Sequence, residues 1–379
     1  MKTPTHPLPS DYLRALIYQR GVSLIELMIG MLISLLLVAG MITLFVNNRQ
    51  TYRYNEEMAR IQENARFATE YLQRNLRMAG HLGCGFMVSS KDQEGTGGIF
   101  PASIINPAFS FDQTTAISGE VYSASAPGPI AATIGGFNPG NVGVNGTDVI
   151  SIIFGSGAAA RPTGIFDASA DIVINNNALG FSQGDPVLIA DCERADLFRI
   201  SNVPGAGNNV TLQHKSASGD NLADTLANGK QYATDARVMR LQTLTFYLGP
   251  PQNNFVANPP FYSLYANGTE LVQGIANLAA FPAPLNGIAG IAVQYGLPAV
   301  NTPPGPTARN VARYVTTAAM TAADWANVIT VRIELLLAST SANALSEPML
   351  VTFNGLTATA PDRRMYSTVS TTIALRNRF

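Results

Sequence analysis

Gly21-Val22-Ser23-Leu24-Ile25-Glu26-Leu27, and the uncharged run that follows it to Val46, decide how the chain is read. The twenty residues from Leu27 to Val46 include no Asp, Glu, Lys or Arg. As a helix they rise about 30 Å, the thickness of the hydrocarbon core of a bilayer. Arg14 and Arg20 stand on the N-terminal side of the run. That asymmetry predicts a cytoplasmic N-terminus and an exported C-terminal bulk. An ordinary secretory signal ends in a small-residue cleavage site after its apolar stretch. Here the apolar stretch passes straight into an amphipathic pattern, so the expected processing point is the other flank, where Arg20-Gly21 meets the run.

The helical pattern continues beyond Val46. Apolar positions recur at Tyr54, Met58, Ile61, Ala65, Ala68, Leu72, Leu76 and Ala79, in steps of three and four that trace one stripe. Glu56, Glu57, Arg60, Glu63, Arg66, Glu70 and Arg74 lie between them as a polar outer face. No Pro occurs from Gly21 to Gly80, and Gly80 is a natural stop with Arg77 in the last turn. One helix from Val22 to Ala79 is therefore expected, about 85–90 Å long. Gly30 and Ser34 form a small-xxx-small pair on its apolar half.

Of the 379 residues only 13% are charged, while Gly numbers 33 and Pro 23, which favours strands and turns over helical bundles. The formal net charge is −1, and removal of residues 1–21, with Lys2, Arg14 and Arg20 against Asp11, shifts it to −3. Such a balance predicts no broad basic surface for nucleic acid. Cys84 and Cys192 are the two cysteines, far apart and in no CxxC spacing, which argues against zinc. An even pair in an exported chain predicts one disulfide, against the alternative of two buried free thiols.

Past residue 80 the reading is β. Residues 95–146 are rich in Gly, Ala, Ser and Pro and read as long loops with short strands. Strands are expected at 148–154, 185–190, 196–201, 209–214, 236–248, 288–295, 328–337 and 366–375. The turn at 191–195 then holds Cys192 in a hairpin. Ile329, Val331, Ile333 and Leu335 alternate with Thr330, Arg332 and Glu334, so one face of that strand should be buried. A Pro-rich break at 301–306 suggests a boundary between two lobes. The whole is an α+β layout: a long N-terminal helix on a β-rich antiparallel-sheet region. Its segments are 1–21 (leader), 22–46 (membrane half), 47–80 (amphipathic half) and 81–379 (β-rich periplasmic or extracellular region, of one lobe or two).

The basic leader, Gly21, the Ser23-Leu24-Ile25-Glu26 string and the apolar run together resemble the prepilin signal of type IV pilins and type II secretion pseudopilins. The resemblance implies cleavage between Gly21 and Val22 by a prepilin peptidase and N-methylation of Val22. It also implies pairing of Glu26 with the amine of a neighbouring subunit, which sets register in a filament. Val22 stands where that family most often has Phe, and the helix lacks the Pro common in major pilins. Further on, the chain is similar to PilW-type minor pilins. The similarity lies in Gly83-Cys84-Gly85, in Gly184-Asp185-Pro186-Val187-Leu188-Ile189-Ala190-Asp191-Cys192, in Trp325-Ala326-Asn327-Val328 before Val331-Arg332-Ile333, and in Ala374-Leu375-Arg376-Asn377-Arg378. It implies an inner-membrane, single-pass subunit that later joins the pilus at the cell surface. The implied partners are other minor pilins, the major pilin and the inner-membrane assembly platform. The implied role is priming of pilus assembly, at the filament tip, in support of twitching motility. Alternative readings are a minor pseudopilin of a type II secretion system, and a tip adhesin or DNA-uptake module.

Glu26 also has a physical reading of its own. An unpaired carboxylate at the edge of the apolar core costs about 2–3 kcal/mol. Cleavage after Gly21 creates an amine one helical turn away, at the i to i+4 spacing that allows pairing; the plainer alternative is that Glu26 reaches the head groups. Elsewhere the search for chemistry returns turns. Gly180-Phe181-Ser182-Gln183-Gly184 has the G-x-S-x-G form, with His81 and His214 as the possible bases, but no strand leads into it and a strand follows it. Gly205-Ala206-Gly207 and Gly229-Lys230 lack the remainder of any phosphate loop. Residues 92–98 and 138–148 supply oxygens without an EF-hand pattern. Arg363, Arg364, Arg376 and Arg378 form a small basic cluster without interleaved aromatics, expected to be a solvated edge or a protein contact. The expectation is a structural protein, not an enzyme, with no cofactor and no metal.

Overall fold

The computed structural model describes residues 21–88, 98–123, 143–252, 259–287, 289–299 and 310–378. Two compact units, Met1–Asn55 and Glu56–Phe379, divide the chain. One helix, α1 (Leu24–Leu76), runs through the boundary over 53 residues without a break. Within the first unit every described residue is exposed, including Leu24 at 77% and Leu35 at 73%. An all-round apolar helix with no protein against it is long and apolar enough to cross a membrane.

In the second unit the same helix changes character. Ile61, Ala68, Leu72 and Leu76 are buried, and Met58, Ala65 and Tyr71 pack beside them, which is the stripe expected from the spacing. Tyr54, expected at the head of that stripe, is instead exposed and belongs to the first unit, where no sheet covers it. The helix stops before Gly80, whose φ of +73° suits a residue without Cβ. The N–H of Gly80 then donates to Ile153 O at 2.9 Å, and Asn377 Nδ2 donates to Arg77 O at 2.9 Å. The chain's C-terminus thus meets a carbonyl left over by the helix end.

The strands are β1 (Phe86–Met87), β2 (Gly98–Ile99), β3 (Pro101–Ser103), β4 (Ile117–Val121), β5 (Asp148–Gly155), β6 (Ile172–Asn176), β7 (Pro186–Ala190), β8 (Ala195–Arg199) and β9 (Asn208–Leu212). They continue with β10 (Arg237–Gly249), β11 (Phe261–Ala266), β12 (Thr269–Ala276), β13 (Ile291–Leu297), β14 (Arg313–Thr316), β15 (Thr330–Ala338), β16 (Leu350–Phe353), β17 (Leu356–Thr359) and β18 (Tyr366–Ala374). Twelve form one sheet in the order β14-β13-β15-β12-β11-β10-β7-β8-β3, with β18 also on β15, and β4 and β5 attached through β10. Its pairs are antiparallel except β3 with β8. Helix and antiparallel sheet make the α+β architecture that the pattern of elements implies. The residues at 301–309 lie outside the described set, and β13, β14 and β15 on either side of them share this sheet.

Two main cores flank the sheet. The stripe of α1 packs on Ile150, Ile152, Phe246, Leu264, Val331, Ile333 and Ile373. A separate cluster fills the space between β7–β8 and the β6–β9 ribbon, with Ile172, Ile174, Val187, Phe198, Val210, Leu212 and Tyr232. Asp196 is buried beside it, which pushes its carboxyl up; Tyr232 OH (2.7 Å) and Asn228 N–H (2.9 Å) donate to it. In β15, Val331, Ile333 and Leu335 are buried as the alternation implies. The alternation then ends. Leu336 is also fully buried, because the β16–β17 hairpin brings Val351 and Phe353 against the other face.

Leu72 is fully buried in the helix–sheet core. Leu72→Ala should destabilise the full chain by about 2–5 kcal/mol. Arg66→Ala, on the exposed face, should stay within about 0.5 kcal/mol. Denaturant unfolding of the detergent-solubilised protein measures both.

Candidate functional site

The N-terminal segment is built from few contacts. A Cβ added at Gly21 would meet nothing within 4 Å, and Val22 is 72% exposed. The bond between them lies outside secondary structure, just ahead of α1. Ser23 opens the helix: its C=O accepts from Leu27 N–H at 3.1 Å. Its own N–H donates to Glu26 Oε2 at 3.3 Å. Glu26 therefore caps its own helix start, and its negative charge stands where the helix dipole favours it. This cap was readable as Ser-x-x-Glu at 23–26, a pattern that the apolar run beside it obscures. From Val22 to Asn48, Glu26 is the one charged residue.

The two cysteines meet. Cys84 sits between Gly83 and Gly85, both at positive φ (+93° and +69°), in the turn that follows α1. A Cβ on Gly83 would stand 2.9 Å from Met239 Cε, so the turn lies tightly against β10. Cys192 occupies the β7–β8 turn, as the hairpin reading places it. That turn is held by Asp191, which accepts from Glu193 and Arg194 N–H, both at 2.9 Å, and pairs with Lys230 Nζ at 2.7 Å. Both thiols are free, and the Cys192 thiol lies near enough to Cys84 to act on its titration. Burial, then the neighbouring Cys192 thiol, pushes the Cys84 thiol up. Cys192 is exposed, so the alternative of two buried thiols does not describe the pair.

The remaining sequence candidates disperse. Ser182 lies in a turn, its N–H given to Asp185 Oδ2 at 2.8 Å. His214 is fully buried, with Nε2 at 3.1 Å from Ala170 O and its ring against Phe198. His81 interacts with Asn377, and burial, then Arg237, pulls it down. Arg364 corrects the basic-cluster reading. It is 8% exposed and donates to Asp362, Ser339 O and Thr340 O, so it belongs to the fold and not to a solvated edge. Residues 92–97 and 138–142 of the two oxygen-rich loops lie outside the described set. Among the described residues no group of three His, Cys, Asp or Glu side chains could hold a metal ion.

An exposed apolar helix at the N-terminus and an antiparallel, β-rich body are joined here to a recognisable signal. Residues 17–42 match the prokaryotic N-terminal methylation motif. The class is that of prepilin-like proteins, and motif and helix fit an inner-membrane-anchored pilin with its globular region outward. Residues 262–377 match the family described as type IV pilus-assembly protein W. Over these residues the chain is similar to PilW-type, prepilin-like proteins, and the two matches support a type IV pilus minor pilin. No curated protein and no solved structure matches it.

The raised Cys84 pKa lowers its thiolate fraction at neutral pH. In the reduced full chain, alkylation of Cys84 by iodoacetamide should lag behind a free cysteine. It should accelerate about tenfold per pH unit until the pKa is approached, as peptide mass mapping will show.

Proposed function

We propose that this chain is a minor pilin that primes assembly of the type IV pilus and resides at the filament tip, in support of twitching motility. The observation that carries the reading is the apolar first half of α1, exposed on every side, which begins at Leu24, three residues after Gly21, with Glu26 in its first turn. A prepilin peptidase cuts between Gly21 and Val22, and Val22 is N-methylated. Glu26 leaves its cap on Ser23 for the amine of a neighbouring subunit, an exchange of one local hydrogen bond for an ion pair away from water. The partners are other minor pilins, the major pilin and the inner-membrane platform. The match at 262–377 is to a pilus-assembly family, which favours the pilus over a secretion pseudopilin. Loss of twitching in a deletion strain fits this reading; loss of secretion with twitching intact overturns it.

Intact mass of the protein made with the peptidase should show the loss of residues 1–21 and the gain of one methyl group. A chain that keeps its leader, or is cut beyond the apolar run, contradicts the proposal. Glu26→Ala should leave membrane insertion intact, since it removes a group that costs about 2–3 kcal/mol in lipid. It should abolish incorporation into filaments, read by immunoblot of sheared pili.

Cys84 and Cys192 form a disulfide after export. The two thiols give up two protons and two electrons to a disulfide-bearing oxidant of that compartment. The bond ties the turn after α1 to the β7–β8 hairpin and closes a loop of roughly a hundred residues, a constraint of about 2–4 kcal/mol. Cys192→Ser should lower the unfolding midpoint of exported protein, and reductant should bring the parent chain to the same value.

A further inference from the structure

A recess of about 560 Å³ is lined by α1 together with β10, where the two neighbours of β10 stop short of each other. β7 pairs with β10 as far as Arg240, and β11 takes over only from Phe246. Asn267, in the turn from β11 to β12, meets the backbone between them. Its Oδ1 accepts from Thr245 N–H at 2.7 Å, and its Nδ2 donates to Thr243 C=O at 2.8 Å. The backbone there is thus served by a side chain, and the space left is bounded by side chains. Its volume falls within the range of small-ligand clefts.

The charged groups of the lining serve the fold. Asp185 Oδ2 lies 2.7 Å from Arg240 Nη2 and accepts from Ser182 N–H at 2.8 Å. Arg199 Nη1 donates to Gly184 O at 2.7 Å. The neutral groups do not. Among the described residues no hydrogen bond engages the Tyr71 hydroxyl, the Gln242 amide or Thr243 Oγ1. Asn75 gives its Nδ2 to Tyr71 O at 2.8 Å, which leaves its Oδ1 as an acceptor. The Tyr71 ring is held in place, with Phe246 edge-on at 6.2 Å and Phe67 beside it at 5.9 Å. Phe67 is itself 47% exposed, so an aromatic surface continues from the recess to solvent.

We propose that this recess binds a neutral saccharide, a mono- or disaccharide unit in size. A pyranose carries hydroxyls that both donate and accept, which suits two amides and two hydroxyls of the same dual character. It also carries a face of C–H groups, which suits a fixed aromatic ring with a polar tip. An ion gains less here, because the Asp185 carboxylate is already paired. The groups invoked lie on α1 beyond its apolar half and on β10, so the inference stands apart from the assembly role of Val22 and Glu26.

The test is isothermal titration calorimetry of the full chain in micelles of a detergent without a sugar headgroup. The probes are cellobiose, lactose and N,N′-diacetylchitobiose, beside sorbitol and inorganic phosphate. At least one disaccharide should bind with a Kd of about 1 mM or tighter. Sorbitol, which has the hydroxyls without the ring, should not bind. Gln242 is exposed and bonds nothing in the chain, so Gln242→Ala should fold as the parent does and weaken binding about threefold to tenfold. Tyr71→Ala should weaken it about twofold to tenfold, and Arg66→Ala, outside the recess, should leave it unchanged. If Tyr71→Ala does not fold, Gln242→Ala decides alone. Failure of all three disaccharides to bind, parent affinity in Gln242→Ala, or sorbitol binding as tightly as the disaccharides overturns the proposal. Displacement of the bound disaccharide by phosphate assigns the recess to anions at Arg199 and also overturns it.

Discussion

An α-helix satisfies its own backbone everywhere except at its two ends, and this constraint governs the molecule. Because α1 needs no neighbour for its peptide groups, its side chains alone decide where each stretch lies. From Leu27 to Val46 they are apolar or small on every face, and lipid is the medium that suits them. From Met58 to Leu76 they are apolar on one stripe, and the sheet covers it. No Pro or Gly need mark the change, so one element serves two environments.

The ends of such a helix must be met by something else. At the N-terminus Glu26 accepts from Ser23 N–H, and beyond the last turn Asn377 donates to Arg77 O. The two devices differ in permanence. Asn377 lies 300 residues away in sequence and arrives with the β18 strand, so it is set by the fold. Glu26 is three residues from its partner on an exposed segment, and the bond is long at 3.3 Å. A weak, exposed, charged cap is one that a better cation can displace.

Local pattern revealed much of this plan and long-range pairing the rest. Helix α1 is legible from its stripe and β15 from its alternation, while β5, β7, β8, β9, β10, β13 and β18 are legible as short apolar or β-branched runs between turn signals. The hairpins β11–β12 and β16–β17 were not anticipated, although Asn267-Gly268 and Asn354-Gly355 at positive φ are strong turn signals. Ser-x-x-Glu at 23–26 is a capping pattern too, but beside an uncharged apolar run the same Glu also fits a role at the edge of the bilayer. The meeting of Cys84 with Cys192 was expected only as a pairing of types; that β7–β8 delivers Cys192 to the end of α1 follows from register.

The sheet register explains why the chain can resemble the PilW family over only part of its length. The matched residues 262–377 span nearly all of β11 through β18, which supply most of the sheet under the α1 stripe. Residues between β5 and β10 instead build the second core, of Ile172, Phe198, Val210 and Tyr232. Substitutions in cores that share few contacts act nearly independently. The β6–β9 side can therefore diverge without disturbing the packing that holds α1, provided that β10 keeps its two sets of neighbours. β10 is the strand that both cores use, with Phe246 and Leu248 in one and Val238 in the other.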